Sequence, residues 1–205
     1  METLILHEYA DSGNCYKIRL TAALLGLTLD RRHYDVLKGE TRTPAFLATV
    51  NANGRIPVLQ IGTRFLPESN AACVWLADRS ALIPHDRFDH ADMLRWMFWE
   101  QYSHEPNVAT VRFWRTLVGE AALNDAQRAQ IAGKVQAGKA ALALMDDHLR
   151  GRRWMVGQAV SLADITLYAY THVADQGGFR LSDYPAIQAW LARITALPGY
   201  VPITA

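Results

Sequence analysis

A strand, a helix and a second strand follow one another within the first 37 residues, and this order constrains the fold more than any other feature of the sequence. The apolar run at residues 4–6 is bounded by turn-prone residues and predicts a buried strand. Apolar side chains then recur at helical spacing from Ile18 to Leu25, where Gly26 provides a helix stop. Residues 29–37 again have an extended pattern. Two strands joined by a helix favour a parallel pair, so the chain is predicted to begin with a βαβ unit.

The following segment adds a helix, a hairpin and a further helix. Thr43 and Pro44 match the cap and the first position of a helix. Two apolar runs, residues 58–61 and 64–66, flank a Gly-Thr pair and predict a tight antiparallel hairpin. Residues 69–79 again show helical spacing. The order βαβαββα predicts a small α/β domain of the thioredoxin type.

The remainder of the chain shows no convincing strand pattern. Residues 131–149 carry apolar side chains at alternating spacings of four and three, which predicts a helix with one buried stripe. Ser161 and Asp164 match a capping box, with Asp in the position that Glu or Gln usually holds, and Pro185 opens a last helix. We therefore predict a thioredoxin-like N-terminal domain, a linker and an all-α C-terminal domain, at residues 1–80, 81–90 and 91–205.

Composition and charge exclude several classes of function. Half of the 205 residues are apolar and 20% are charged, which is typical of a folded domain rather than of a disordered chain. The net charge of +1 argues against nucleic acid or an anionic membrane as the main partner. The longest apolar run, residues 71–77, is far shorter than the roughly 18 residues of a membrane span.

The cysteines, the histidines and the N-terminal residues indicate the compartment and argue against a metal site. Cys15 and Cys73 are too few for a disulfide framework. The seven histidines form no closely spaced pair, so we expect no bound metal. The polar residues Glu2 and Asp11 do not fit a secretory signal, and we therefore expect a reducing, cytoplasmic location.

Four short segments carry a resemblance to a known family. They are Ser-Gly-Asn-Cys-Tyr-Lys at 12–17, Asn-Gly-Arg-Ile-Pro-Val-Leu at 53–59, Pro-Glu-Ser-Asn-Ala at 67–71 and Ser-Leu-Ala-Asp at 161–164. In this order the segments make the chain, over nearly its whole length, resemble a cytosolic glutathione transferase of the bacterial theta-like or nu-like kind. The resemblance implies glutathione as co-substrate, a hydrophobic electrophile as second substrate, and a homodimer.

The start of the third predicted helix suits the amino-acid head group of glutathione. Ser69 stands where backbone N–H groups are unpaired and the helix dipole favours an anion, so a carboxylate fits there. Glu68 can accept a hydrogen bond from an ammonium group. The resemblance implies that this pair binds the γ-glutamyl end of glutathione. The alternative is that Ser69 only caps its helix.

The segment before the third predicted strand is the second glutathione-binding candidate. Proline at the start of a strand often marks a tight turn, and the resemblance implies that Pro57 follows a cis peptide bond. It also implies that the backbone of Ile56 pairs with the cysteinyl part of glutathione, as in the addition of a strand. Arg55 stands where the family usually has lysine, and either cation suits a carboxylate. An ordinary trans proline is the alternative.

The loop before the first helix is the predicted catalytic segment. A cysteine-type thiol has a pKa near ~8.5, and lowering it by about two units needs roughly 2.7 kcal/mol. A hydroxyl donor together with a helix N-terminus can supply about that much. The resemblance assigns this donor role to Ser12, with the Asn14 amide as the nu-type alternative. Either residue could instead only cap the helix.

Cys15 and Tyr9 are further candidates for this role. A thiol at a helix start can be acidified, but the chain has no Cys-x-x-Cys pair, and a small buried packing role for Cys15 is more common. Tyr9 is the candidate by similarity to glutathione transferase classes that use a tyrosine near the end of the first strand.

The resemblance implies that the helical domain supplies the pocket for the electrophile, and the candidate lining residues are Tyr102, His104, Arg112 and Phe113. Two other functions remain open from the sequence. One is a glutathione-dependent disulfide or peroxide reductase that passes the same thiolate to sulfur or oxygen. The other is a non-catalytic binding protein with the glutathione transferase fold.

Overall fold

The computed structural model describes residues 2–205, and the chain divides into two compact units. The first unit ends at Ala81 and also contains Leu197–Ala205, whereas the second is Leu82–Ala196. The second unit therefore begins and ends earlier in the chain than the predicted helical domain at residues 91–205. The hydroxyl of Tyr16 donates a hydrogen bond to the carbonyl of Val201 at 2.7 Å, which is one of the contacts that hold the final segment in the first unit.

The first unit is a four-stranded mixed sheet with three helices. Its strands β1–β4 are Leu4–Glu8, Asp30–His33, Val58–Ile61 and Arg64–Pro67, and its helices α1–α3 are Gly13–Leu24, Pro44–Thr49 and Ser69–Leu76. β1 pairs in parallel with β2 and antiparallel with β3, and β3 pairs antiparallel with β4. The strand order is β2-β1-β3-β4, which confirms the predicted βαβ unit and hairpin.

The local signals in the sequence explain where these helices begin and end. The Thr43 hydroxyl accepts a hydrogen bond from the N–H of Phe46 at 3.3 Å, and Pro44 takes the first position of α2. α1 stops just before Gly26, whose φ of 68° costs little in a residue without Cβ. The core between sheet and helices is apolar, and its fully buried members include Leu6, Ile18, Leu20, Val58, Leu59, Ala72 and Cys73.

Two elements of the first unit are shorter than predicted. β2 does not reach residue 37, because the Asp35 carboxylate accepts hydrogen bonds from the N–H groups of Leu37 and Lys38 and bends the chain. α3 stops before Arg79, which has a left-handed φ of 58° and cannot continue a right-handed helix.

The second unit is helical, as predicted, and its described residues contain no strand. Helices α4–α8 are Arg87–Trp99, Glu105–Arg112, Asp125–Leu149, Leu162–Thr171 and Pro185–Thr195, and wide π-helical turns at Glu100–His104 and Phe113–Gly119 flank α5. α4 begins inside the predicted linker. The Asp86 carboxylate accepts hydrogen bonds from the N–H groups of Phe88 and Asp89 and so starts the helix there.

The buried carboxylate of Asp164 organises the centre of the second unit. Its oxygens accept hydrogen bonds from the N–H and hydroxyl of Ser161, at 2.9 and 3.1 Å. They also accept from the N–H of Met155 and the indole N–H of Trp190, both at 2.8 Å. The predicted capping box is confirmed, and the same carboxylate ties the start of α7 to α8.

α6 is the longest helix of the described chain. It buries the predicted stripe at Gly138, Leu142, Met145 and Leu149, whereas the first two positions of the stripe, Ile131 and Val135, are only half-buried. Within residues 2–205, no helix combines the length and the apolar character that crossing a membrane requires.

Candidate functional site

The loop between β1 and α1 places Ser12 at the start of a helix. The Ser12 hydroxyl oxygen accepts a hydrogen bond from the N–H of Cys15 at 3.3 Å, so Ser12 is the N-cap of α1. The N–H of Ser12 donates to the carbonyl of Tyr9 at 3.0 Å and closes the loop. The cap uses only an acceptor site of the oxygen, and the O–H can rotate between the Cys15 thiol, with which this side chain also interacts, and a ligand. Capping and thiolate stabilisation are therefore compatible in Ser12.

The first turns of α1 and α3 are joined through their side chains. The Ser69 hydroxyl donates a hydrogen bond to the side-chain oxygen of Asn14 at 3.2 Å. Ser69 is buried and Asn14 is half-buried. Two helix N-termini thus lie side by side in the first unit, and both favour negative charge.

Glu68 has a backbone conformation that sequence analysis did not detect. Its φ is 73° and its ψ is 111°, a positive-φ conformation that costs a non-glycine residue of order 1–3 kcal/mol. Glu68 is the N-cap of α3, yet its side chain makes no capping hydrogen bond and is exposed. No sequence signal exists for this strain, because glutamate is not a residue type that favours positive φ. Such strain is often found at binding sites.

The turn before β3 has the cis peptide bond that the resemblance implies. The bond between Ile56 and Pro57 is cis. The Asn51 amide nitrogen donates to the carbonyl of Arg55 at 2.9 Å, and the Asn51 side-chain oxygen accepts from the N–H of Asn53 at 3.0 Å. The Asn51 side chain therefore fixes the turn that contains Ile56. The Arg55 side chain is exposed.

The cysteine at the start of α1 has the properties of a packing residue. Cys15 is completely buried, and burial raises the pKa of its thiol to about 12. A thiol that stays protonated at neutral pH is a poor nucleophile. Cys73 is also buried, where it accepts a hydrogen bond from the Thr21 hydroxyl at 3.3 Å. Of the donor candidates in the loop, the geometry therefore favours Ser12 and Asn14 over Cys15.

The four candidate pocket residues of the second unit do not share one environment. His104 is completely buried and hydrogen-bonded to the Thr171 hydroxyl at 3.0 Å, and Arg112 is buried with its Nε donating to Gln176 at 2.7 Å. The prediction that these two side chains line a pocket does not fit, because both pack within the helical unit. Tyr102 is 86% exposed and Phe113 is half-buried, and these two stay candidates.

The described residues include no group of three or more His, Cys, Asp or Glu side chains that could hold a metal ion. The polar groups of the site are instead hydroxyls, an amide, a carboxylate and helix N-termini. They suit the recognition of a small zwitterionic ligand and the stabilisation of an anion.

Two family models match this chain. The model described as "Glutathione S-transferase, N-terminal domain" matches residues 11–79, and "Glutathione S-transferase, C-terminal domain" matches residues 98–198. A glutathione S-transferase from Pseudomonas fluorescens [Pf-5] is 44% identical with a TM-score of 0.92, covering 98% of this chain and 99% of that one. A possible glutathione S-transferase from Rhodopseudomonas palustris is 41% identical with a TM-score of 0.93, covering 98% and 90%.

More distant relatives differ in the function that their names give. The "Glutathione S-transferase-like protein LUC7" of Fusarium sp is 27% identical, over 92% of this chain and 86% of that protein. The "Disulfide-bond oxidoreductase YfcG" of Escherichia coli (strain K12) is 23% identical, over 93% and 90%. The fold is also that of Ure2p in complex with glutathione, at 19% identity and a TM-score of 0.82 over 97% of this chain and 91% of that one.

Proposed function

The chain belongs to the glutathione S-transferase family, and we propose that it binds glutathione in its first unit and activates the thiol for attack on an electrophilic small molecule. The observation that carries this proposal is the pair of adjacent helix N-termini, joined by the hydrogen bond from Ser69 to Asn14 at 3.2 Å. One helix start is suited to a carboxylate and the other to a thiolate.

Recognition of glutathione is assigned to two short segments. The start of α3 takes the γ-glutamyl carboxylate, which accepts from the backbone N–H groups of the first turn while Glu68 accepts from the ammonium group. The Ser69 hydroxyl donates to Asn14, so it contributes by fixing this turn rather than as the main donor to the ligand. Ile56 offers its backbone to the cysteinyl part, next to the cis bond at Pro57. The exposed Arg55 is placed to pair with a carboxylate of the tripeptide.

Activation of the thiol is assigned to Ser12. Its hydroxyl oxygen is fixed by the N–H of Cys15, so its O–H can be directed at a sulfur atom without loss of the cap. The positive end of the α1 dipole adds to the stabilisation of the thiolate. Asn14 is the second candidate donor, and its side-chain oxygen is held by Ser69, which fixes the orientation of the amide.

The electrophile, the assembly and the location are proposed by similarity to the family. The second substrate is a hydrophobic or aromatic electrophile, for which Tyr102 and Phe113 remain candidate contacts. The protein is proposed to act as a cytoplasmic homodimer. No metal is required for this chemistry, because the thiolate is the nucleophile and the leaving group departs from the electrophile.

A glutathione-dependent reductase is the second candidate function, and the relative named as a disulfide-bond oxidoreductase favours its consideration. The reductase would use the glutathione thiolate rather than a protein thiol, because both cysteines are buried and the pKa of Cys15 is raised to about 12. A non-catalytic glutathione-binding protein is the third. It would bind glutathione without changing the acidity of its thiol.

A pH titration of bound glutathione tests the proposal. The ultraviolet absorbance of the thiolate is followed on the protein with saturating glutathione, and S-methylglutathione provides the blank. A thiol pKa about 2 below the free value near ~8.5 is the expected result. Turnover of a chloronitrobenzene and of a mixed disulfide with the same preparation then separates transferase from reductase. Binding with an unshifted thiol pKa would overturn the proposed activation and leave the binding protein.

A further inference from the structure

Arg19, on α1, joins three segments of the first unit at one buried point. Its Nη2 donates to the carbonyls of Ala10 at 2.7 Å and Ile203 at 3.0 Å. Its Nη1 donates to the backbone oxygen of Ala205 at 2.8 Å, and its Nε lies 3.3 Å from the Glu8 carboxylate. The guanidinium therefore connects the end of β1, the loop before α1 and the final segment of the chain.

The chemistry of this junction requires an arginine. The guanidinium presents five N–H donors in a rigid planar fork, whereas a lysine ammonium is a single point from which these acceptors cannot all be reached. Glu8 is completely buried and also pairs with Arg31, so a cation at position 19 is not its only partner. A lysine at position 19 would keep the charge beside Glu8 and lose the fork.

The tail segment, defined here as Leu197–Ala205, rests on α1 through two further close contacts. The Tyr16 hydroxyl donates to the carbonyl of Val201 at 2.7 Å. Gly199 has a φ of 83°, and a Cβ at this position would lie 2.9 Å from the carbonyl oxygen of Ala23. The backbone of the tail segment can approach α1 this closely only because residue 199 has no side chain.

The loop that Arg19 holds is the one that carries Ser12. Ala10 lies two positions before Ser12, and the N–H of Ser12 bonds the carbonyl of Tyr9 at 3.0 Å. We propose that Arg19 is a positioning residue for the Ser12 hydroxyl and that the tail segment, by completing the hydrogen bonds of Arg19, keeps the loop in its active geometry. Because this rests on the proposed role of Ser12, its test includes a measurement that needs no glutathione.

The first test loosens the tail segment without touching Arg19 or the loop. Gly199→Ala forces a contact with Ala23 and strains the backbone. Gly119→Ala is the matched control, because Gly119 has nearly the same φ, 85°, and no atom within 4 Å of a Cβ. Only Gly199→Ala is expected to raise the pKa of the bound glutathione thiol, by about 1, and thereby to lower kcat at pH 6.5 about fivefold. The dissociation constant for glutathione should stay within about twofold, because α3 is untouched.

The second test changes the guanidinium group of Arg19 itself. Arg19→Lys is expected to raise the same thiol pKa, whereas Arg31→Lys is not, although Arg31 also bonds Ala205 and Glu8. The contacts of the Arg31 side chain in the described structure are with Glu8 and Ala205 and not with Ala10, so Arg31→Lys separates loosening of the junction as a whole from loss of the loop contact.

Amide hydrogen exchange gives the readout that is independent of glutathione. The amides of Ser12 and Cys15 are expected to exchange about tenfold faster in Gly199→Ala and Arg19→Lys than in the two control variants. Equal exchange in variants and controls would overturn the positioning role. If the unmodified protein binds glutathione with an unshifted thiol pKa, the proposed activation fails, and the exchange rates still decide whether the tail segment positions the loop.

Discussion

The Ser69 hydroxyl donates a hydrogen bond to the side-chain oxygen of Asn14 across 3.2 Å, although 55 positions separate the two residues in the chain. This bond joins the residue expected to support the γ-glutamyl group to the loop expected to activate the thiol. The bond is partly buried and is expected to link the stability of the two segments, so the effects of variants on its two sides should not be additive.

The coupling can be measured with Ser69→Ala, Asn14→Ala and the double variant. Ser69→Ala is expected to weaken glutathione binding about tenfold and to change the pKa of the bound thiol little, because the hydroxyl fixes the turn and does not contact sulfur. A double-mutant cycle on the unfolding free energy should give a coupling of about 1 kcal/mol. Additive effects, or an unaltered affinity in Ser69→Ala, would contradict the assignment of this contact.

Ser12 has two expected roles, and two substitutions separate them. Ser12→Ala removes both the hydroxyl and the cap, so it should lower kcat about 100-fold and the unfolding free energy by about 1 kcal/mol. Ser12→Gly also removes the hydroxyl, but glycine is nearly as good a cap, so only the loss of turnover should remain. Ser12→Thr keeps a hydroxyl that can also cap, so it should retain most of the turnover and most of the unfolding free energy. Turnover that follows stability rather than the hydroxyl would leave Ser12 as a cap only.

The strained backbone of Glu68 predicts a conflict between stability and binding. Glu68→Gly relieves a φ of 73°, and we expect a net gain of about 1 kcal/mol in unfolding free energy after the greater chain entropy of glycine is subtracted. Glu68→Gln keeps the strain and removes the charge. Both variants should bind glutathione more weakly, but only Glu68→Gly should be more stable in urea unfolding. A destabilised Glu68→Gly would show that the conformation carries no strain.

The carboxylate of Asp164 should dominate the stability of the helical unit. Asp164→Ala leaves the N–H groups of Met155 and Ser161 and the indole N–H of Trp190 without their acceptor, which should cost about 3 kcal/mol or more. Asp147→Ala is the control, since this carboxylate is mostly exposed and pairs with Arg150 at the surface. Guanidinium unfolding monitored by circular dichroism compares the two. Equal and small losses of unfolding free energy in Asp164→Ala and Asp147→Ala would contradict the stabilising role of the Asp164 hydrogen bonds.

His172 should make the protein less stable as the pH falls. Burial lowers the pKa of His172 to about 4 from the usual 6.5, so between these values the unfolded chain binds this proton and the folded chain does not. Stability is therefore full above pH 6.5 and decreases towards pH 4, by at most about 3 kcal/mol from this residue. In urea unfolding at a series of pH values, His172→Gln should flatten the dependence in this window, with the exposed His85→Gln as control. An unchanged slope in His172→Gln would assign the dependence to other groups.

The sequence by itself determined the order of the elements, because each depends on local chemistry. The cap at Thr43, the proline at Pro44 and the box between Ser161 and Asp164 act within three or four positions, and all three were predicted. The parallel pairing of β1 with β2 followed from the helix between them. The resemblance added the cis bond at Pro57 and the candidate residues of the site.

Only the tertiary structure decided which distant groups meet, because periodicity and caps carry no information about contacts across the fold. It joined Ser69 to Asn14 and brought Arg19 against the tail segment, which had been expected in the helical domain. It also showed that His104 is buried in the helical core. The sequence pattern of a helix is the same whether a histidine in it faces a pocket or packs inside, so the pattern could not predict this. Burial and long-range hydrogen bonds are properties of the assembled chain, and they decide which candidate side chains remain available for chemistry.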